Sequence, residues 1–153
     1  LNLVDSSGWL EYYAQGPNAA FFAPAIENDR ELLVPTICIY EVYRQALRHA
    51  DQGAALHAVA AMRRGNVVLL TERIALDAAE ISLKEQLPMA DSIILASARA
   101  VGATVWTQDS DFEGRDGVRY VRKLRLVRER SAVPTPARQK PPAVRPRRAR
   151  VAR

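Results

Sequence analysis

Short runs of aliphatic and β-branched residues alternate along the chain with longer stretches in which apolar positions recur every three or four residues. Leu3-Val4, Leu32-Leu33-Val34, Val67-Val68-Leu69-Leu70, Thr104-Val105-Trp106 and Val118 to Val121 are the strand candidates. They are continuously apolar rather than alternating, which suits strands covered on both faces. Between them the spacing predicts helices near residues 7–15, 19–28, 37–49, 52–64, 73–85 and 89–101. This alternation argues for an α/β fold in three layers, a central parallel sheet flanked by helices. Punctuation agrees: Gly16-Pro17 ends the first helix, Pro35-Thr36 opens the third, and Pro88 opens the last, which Gly102 closes just before a strand.

Two helices carry more detail. In the third, Ile39, Tyr43, Ala46, Leu47 and Ala50 form an apolar stripe that leaves Glu41 off it. In the last, Ala96, Ala98 and Ala100 predict close packing, with Ile93, Ile94, Leu95 and Val101 supplying apolar volume.

With 153 residues the chain is the size of one domain with one core. Its net charge of +5 is unevenly spread. Residues 131–153 hold seven basic residues, no acid and five of the nine prolines, so the remainder is slightly acidic. The expected organisation is a domain over 1–130 and a disordered basic tail over 131–153, able at most to attract phosphate non-specifically. The lone Cys38 excludes an internal disulfide framework and fits a reducing compartment, hence the cytoplasm. The first residues lack a basic stretch leading into a long apolar run, and no segment reaches the roughly 20 apolar residues of a membrane span, so secretion and membrane insertion are not expected.

Candidate chemistry lies in the acids. Asp5 follows the first strand, Asp109 follows Trp106-Thr107-Gln108, Glu41 lies about a turn into the third helix, and Asp91 falls in the first turn after Pro88. Parallel sheets bind ligands beyond the carboxyl ends of their strands, where these four are expected to meet. Two carboxylates 4 Å apart repel by about 4 kcal/mol at an effective dielectric near 20, so a cation must offset the set. All-oxygen ligands select hard ions, Mg2+ or Mn2+, over zinc. Such an ion makes water more acidic and stabilises charge on a phosphodiester under attack. Singly, each acid has an ordinary explanation: Asp5 as a helix cap, Glu41 as a solvated helix residue, Asp91 as a partner of the helix dipole, Asp109 and Asp111 as turn formers. The signal is the set, in this order, on a βα topology.

Asp5-Ser6-Ser7, Glu41-Val42-Tyr43-Arg44, the stretch Leu87 to Ala96 and Thr107-Gln108-Asp109-Ser110-Asp111-Phe112 together resemble PIN-domain proteins, especially VapC-type toxins, over about residues 2–123. The resemblance implies a PIN-like fold, a homodimer, Mg2+- or Mn2+-dependent RNA cleavage and a neutralising antitoxin partner. It also implies that Asp5, Glu41, Asp91 and Asp109 form the metal-binding acidic quartet, with Asp111 a further acid. Ser6 and Thr107 match hydroxyl residues that orient carboxylates, and Arg44 can reach Glu41 or a phosphate. The proline- and arginine-rich end departs from the family pattern.

Other residues carry less. His49 and His57 lack a catalytic partner pattern, and Cys38 reads as a small buried residue. Trp9, Tyr12, Tyr13, Phe21 and Phe22 fit either the core or an aromatic docking surface. A receiver domain or a haloacid-dehalogenase-type phosphatase would also place an aspartate after the first strand. The Ser6-Ser7 that follows Asp5 meets neither pattern. A PIN-like module that binds RNA or a partner without cutting is the non-enzymatic alternative.

Overall fold

The computed structural model describes residues 1–124; the expected boundary at residue 130 and the tail over 131–153 lie outside the described residues. Five strands form one fully parallel sheet: β1 (Asn2–Val4), β2 (Leu32–Pro35), β3 (Asn66–Val68), β4 (Thr104–Thr107) and β5 (Val118–Tyr120), in the order β3-β2-β1-β4-β5. Six helices flank it: α1 (Ser6–Tyr13), α2 (Ala19–Ile26), α3 (Thr36–His49), α4 (Gln52–Met62), α5 (Glu72–Glu85) and α6 (Met89–Arg99). The α/β architecture expected from the alternation, a central parallel sheet flanked by helices, is the one present. One element was not anticipated, a 3-10 helix over Ser110–Phe112 in the loop after β4.

β1 is central and its Leu3 and Val4 are fully buried, as are Val105 of β4 and Val34 of β2. The strand order reverses direction between β1 and β4, which opens a crevice at their carboxyl ends. Chain entry into α1 is tight there. A Cβ on Gly8 would meet Phe22 at 2.6 Å and Val4 at 2.8 Å, so α1 lies close on β1 and its first residues stay over the sheet end. Phe22 and Trp9 are core residues, which removes them from the aromatic docking surface; Tyr12, Tyr13 and Phe21 are half-buried. Burying Phe22 contributes about 1.5–3 kcal/mol.

Local chemistry sets the helix ends. Thr71 caps α5 by accepting from the Ile74 amide, and Glu72 sits in its first turn. Gln86 in the left-handed region stops that helix, and Leu87-Pro88 start α6 directly. Gly117, at φ 77, makes the turn into β5.

Two expected stripes are corrected. In α3 the buried residues are Cys38 and Val42, whereas Ile39 and Tyr43 are half-buried and Leu47 and Ala50 exposed. The helix packs against α1, α4, α6 and β2 at once, so its burial follows neighbours on several sides rather than one stripe. In α6 every residue from Ser92 to Ala98 is buried, while Ala100 and Val101 emerge at the exposed end. Cys38 is buried and unpaired; His49 and His57 are exposed.

Candidate active site

Asp5 leaves β1 at the crevice, and its amide continues the ladder by donating to the Trp106 carbonyl at 3.0 Å. It occupies the cap position of α1 but makes no capping bond with its side chain. The carboxylate turns instead to hydroxyls. Thr107 donates to Oδ2 at 2.8 Å and Ser7 donates to the same oxygen at 2.7 Å. Ser6 lies 3.2 Å from Oδ1 and donates at 2.8 Å to Glu41 Oε2, tying the first and third segments of the site. Asp5 is only 2% exposed, and burial pushes its carboxyl up, against the three hydroxyls that favour its charged form.

Glu41, half-buried on α3, is also pushed up by burial, with its Ser6 hydrogen bond opposing and the Asp5 charge adding. Arg44 is exposed and lowers the Glu41 carboxyl only through space; it lines a cleft of about 330 Å3 beside Glu41 with Lys123, Ser6 and Gln108. Asp91, in the first turn of α6, faces the same point. Burial and then the charges of Asp5, Asp109, Asp111 and Glu41 push it to about 7, and no hydrogen bond offsets them. Asp109 starts the 3-10 helix: its amide donates to Thr107 Oγ1 at 2.9 Å and its carboxylate accepts from the Asp111 amide at 3.0 Å. Asp111 is exposed on that turn.

The structure therefore gathers Asp5, Glu41, Asp91 and Asp109 at one sheet end, with Asp111 at the rim. Among the described residues, no three acids, histidines or cysteines stand close enough together to hold a metal ion as they are placed. The cluster is open and mutually repelling.

Several residues of this site were not singled out in the sequence. Ser7, inside α1 rather than at its cap, donates to Asp5. Gln108, 4% exposed, donates from Nε2 to the Ser7 carbonyl and to Glu11 at 3.2 Å each, and accepts from Asn18 Nδ2 at 3.0 Å. Asn18 also donates to the Arg122 carbonyl at 3.0 Å, so this network joins α1, the β4 end and the segment after β5. Arg115 donates to the Asp111 carbonyl at 2.7 Å and to the Glu85 carboxylate at 2.9 Å, fastening the acidic loop to the end of α5. A polar residue at the mouth of a buried strand must find partners, the one signal that could have marked Gln108.

Comparison with known proteins bears on the fold and the family. The PIN domain family model matches residues 3–118. A toxin-antitoxin complex from Klebsiella pneumoniae contains a chain of similar fold, with TM-score 0.66 and 20% identity over 78% of this chain and 96% of that one. VapC20 from Mycobacterium tuberculosis, a sarcin-ricin loop cleaving toxin, superposes with TM-score 0.62 at 19% identity, covering 73% and 92%. VapBC-1 from nontypeable Haemophilus influenzae gives 0.58 at 20%, covering 79% and 96%. No curated protein sequence matches closely enough to count as a relative. With three quarters of its length matched by one family model and its acids gathered at the sheet's switch point, the chain belongs to the PIN domain family.

Proposed function

We propose that the chain is a divalent-metal-dependent ribonuclease and the toxin of a toxin–antitoxin pair. The observation that carries this is the raised Asp91 carboxyl, held near 7 by burial and by four neighbouring acids. Such an arrangement is costly unless a cation joins it. The donors are all oxygen, which fits Mg2+ or Mn2+, and Mg2+ keeps several waters and takes few protein ligands, so one or two of these carboxylates would suffice to hold it. Asp5 and Asp91 would hold the ion, with Glu41 and Asp109 completing the acidic set. When bound, the ion supplies positive charge against a phosphodiester and lowers the pKa of water. Thr107, Ser7 and Ser6 orient Asp5 and Glu41 and favour their charged forms against the burial that raises both, and Arg44 offers a cation to a flanking phosphate.

Partners follow from surfaces. The apolar groove of about 720 Å3 between α1, α3 and α4, lined by Leu10, Tyr13, Ala46, His49, Ala58 and Ala61, supports docking of an amphipathic helix from an antitoxin. Exposed Leu69, Leu70, Leu83 and Met89 support pairing of two copies into a homodimer. The free Cys38, and the lack among described residues of any helix long and apolar enough to cross a membrane, fit a cytoplasmic site of action.

The direct test is cleavage of a labelled RNA by protein freed of any partner. Cleavage is expected with Mg2+ or Mn2+ and not in excess chelator. Equal cleavage in chelator by a contaminant-free preparation refutes the metal mechanism.

A further inference from the structure

A second cleft, of about 560 Å3, opens beside Asp109. It is lined by Asp109, Ser110 and Glu113 from the loop after β4 and by Tyr120, Arg122 and Lys123 from β5 and the segment after it. It shares Ser7, Gln108 and Lys123 with the cleft beside Glu41 and Arg44, so the two are continuous past the acidic cluster.

The β5 side is built to stay in place. Tyr120 is the register partner of Thr107 on the neighbouring strand, so its side chain emerges on the same sheet face, one strand spacing of about 4.8 Å away. Thr107 is the residue that donates to Asp5. The Val121 amide donates to the Thr107 carbonyl at 3.0 Å, and the Arg122 carbonyl accepts from the buried Asn18. The half-buried phenol ring and two exposed cations, Arg122 and Lys123, are thus presented beside the metal-seeking acids by a hydrogen-bonded segment. Unpaired bases stack on aromatic rings in a sequence-tolerant way, and phosphates pair with Lys and Arg. Glu113 and Asp109 repel phosphate from their end, which leaves the phosphate to Lys123 and Arg122 and the base to Tyr120.

We infer that this cleft is a subsite for one unpaired nucleotide of an RNA strand, its base stacked on Tyr120 and its phosphate held by Lys123 and Arg122. The inference rests on the nuclease reading but is separable from it. A strand seated there carries its adjoining phosphate past Asp109 to the acidic cluster, and a duplex, whose bases are already stacked, gains nothing from Tyr120.

The test uses the full chain in the nuclease-deficient Asp91→Asn background and a fluorescein-labelled six-nucleotide single-stranded RNA, read by anisotropy across a salt series. The basic residues of 131–153 are common to every variant, so differences report on the cleft. Tyr120→Leu is expected to weaken binding about tenfold and Tyr120→Phe to restore it. Lys123→Gln is expected to reduce the slope of log affinity against log salt by about 0.7. A blunt RNA duplex is expected to bind Tyr120→Leu as it binds the parent. Unchanged single-strand affinity in Tyr120→Leu, or an equal loss for single strand and duplex, overturns the subsite. If Tyr120→Leu fails to fold by circular dichroism, the exposed Lys123→Gln decides, and an unchanged slope overturns it. Cleavage by the wild-type chain is measured alongside: cleavage without these binding effects removes the subsite alone, and the effects without cleavage remove the nuclease reading alone.

Discussion

Thr107 donates its hydroxyl to Asp5 Oδ2 across 2.8 Å although 102 positions separate the two residues. Thr107 Oγ1 itself accepts from the Asp109 amide at 2.9 Å, so one buried hydroxyl couples two members of the acidic set. Each hydroxyl has a single proton, and here it is committed to the carboxylate.

Thr107→Val keeps the shape and removes that donor. Affinity for Mg2+, measured by calorimetry, is expected to fall roughly tenfold, within the range for residues that orient metal ligands. Stability is expected to drop by about 1–3 kcal/mol because the Asp109 amide loses its acceptor. Thr107→Ser should recover both. Unchanged Mg2+ affinity in a folded Thr107→Val protein contradicts an orienting role.

The raised Asp91 carboxyl gives a pH dependence with a definite sign. Its folded value of about 7 lies above the ordinary 3.8, so between those values the folded state binds more protons than the unfolded one. This contribution to stability is present below 3.8 and is lost as pH rises through about 7. Asp5 and Glu41, also raised, act in the same direction, while Glu85, lowered by Arg99 and Arg115, acts in the opposite one. In chelator, the melting temperature of wild type relative to Asp91→Asn should therefore fall between about pH 5 and about pH 8, a window that spans the raised value. Mg2+ should flatten the difference, since the ion replaces the proton. A difference that does not vary with pH contradicts the raised value.

Deleting residues 131–153 is expected to leave the melting temperature unchanged, because the buried hydrophobic residues of the described core run from Leu3 to Phe112. Thermal melting by circular dichroism checks this. A melting temperature lowered by many degrees would show that the tail contributes to the fold.

How much of this was legible in the sequence depends on how local each cause is. β1, β2, β4 and the six helices could be read because continuous apolar runs and Pro or Gly punctuation are local signals, and helix ends came out within about two residues. Asp5, Glu41, Asp91 and Asp109 could be placed near one another because strand ends and helix starts of a parallel sheet meet at one edge. The face of α3 could not, because four neighbouring elements choose Cys38 and Val42 over Ile39 and Tyr43. Ser7, Gln108 and Asn18 were hidden for a related reason. Their partners are distant in sequence, and a Ser after an Asp suits a cap as well as a carboxylate. Arg115 was hidden too, since its bonds to Asp111 and Glu85 exist only once the loop returns to α5.

If Asp91 belongs to a cation site rather than serving the helix dipole, removing its charge must cost cleavage and not stability. Asp91→Asn keeps size and removes one charge from a repelling set. The measurement is RNA cleavage at limiting Mg2+ by wild type, Asp91→Asn and the exposed control Glu80→Gln, with metal-free melting at pH 7 alongside. The account predicts that Asp91→Asn loses at least about a hundredfold in cleavage, beyond what residues that only orient ligands cost, while its melting temperature holds or rises and Glu80→Gln stays active. A dipole role alone predicts at most about 1 kcal/mol of lost stability and intact cleavage, and a fully active Asp91→Asn enzyme contradicts the account.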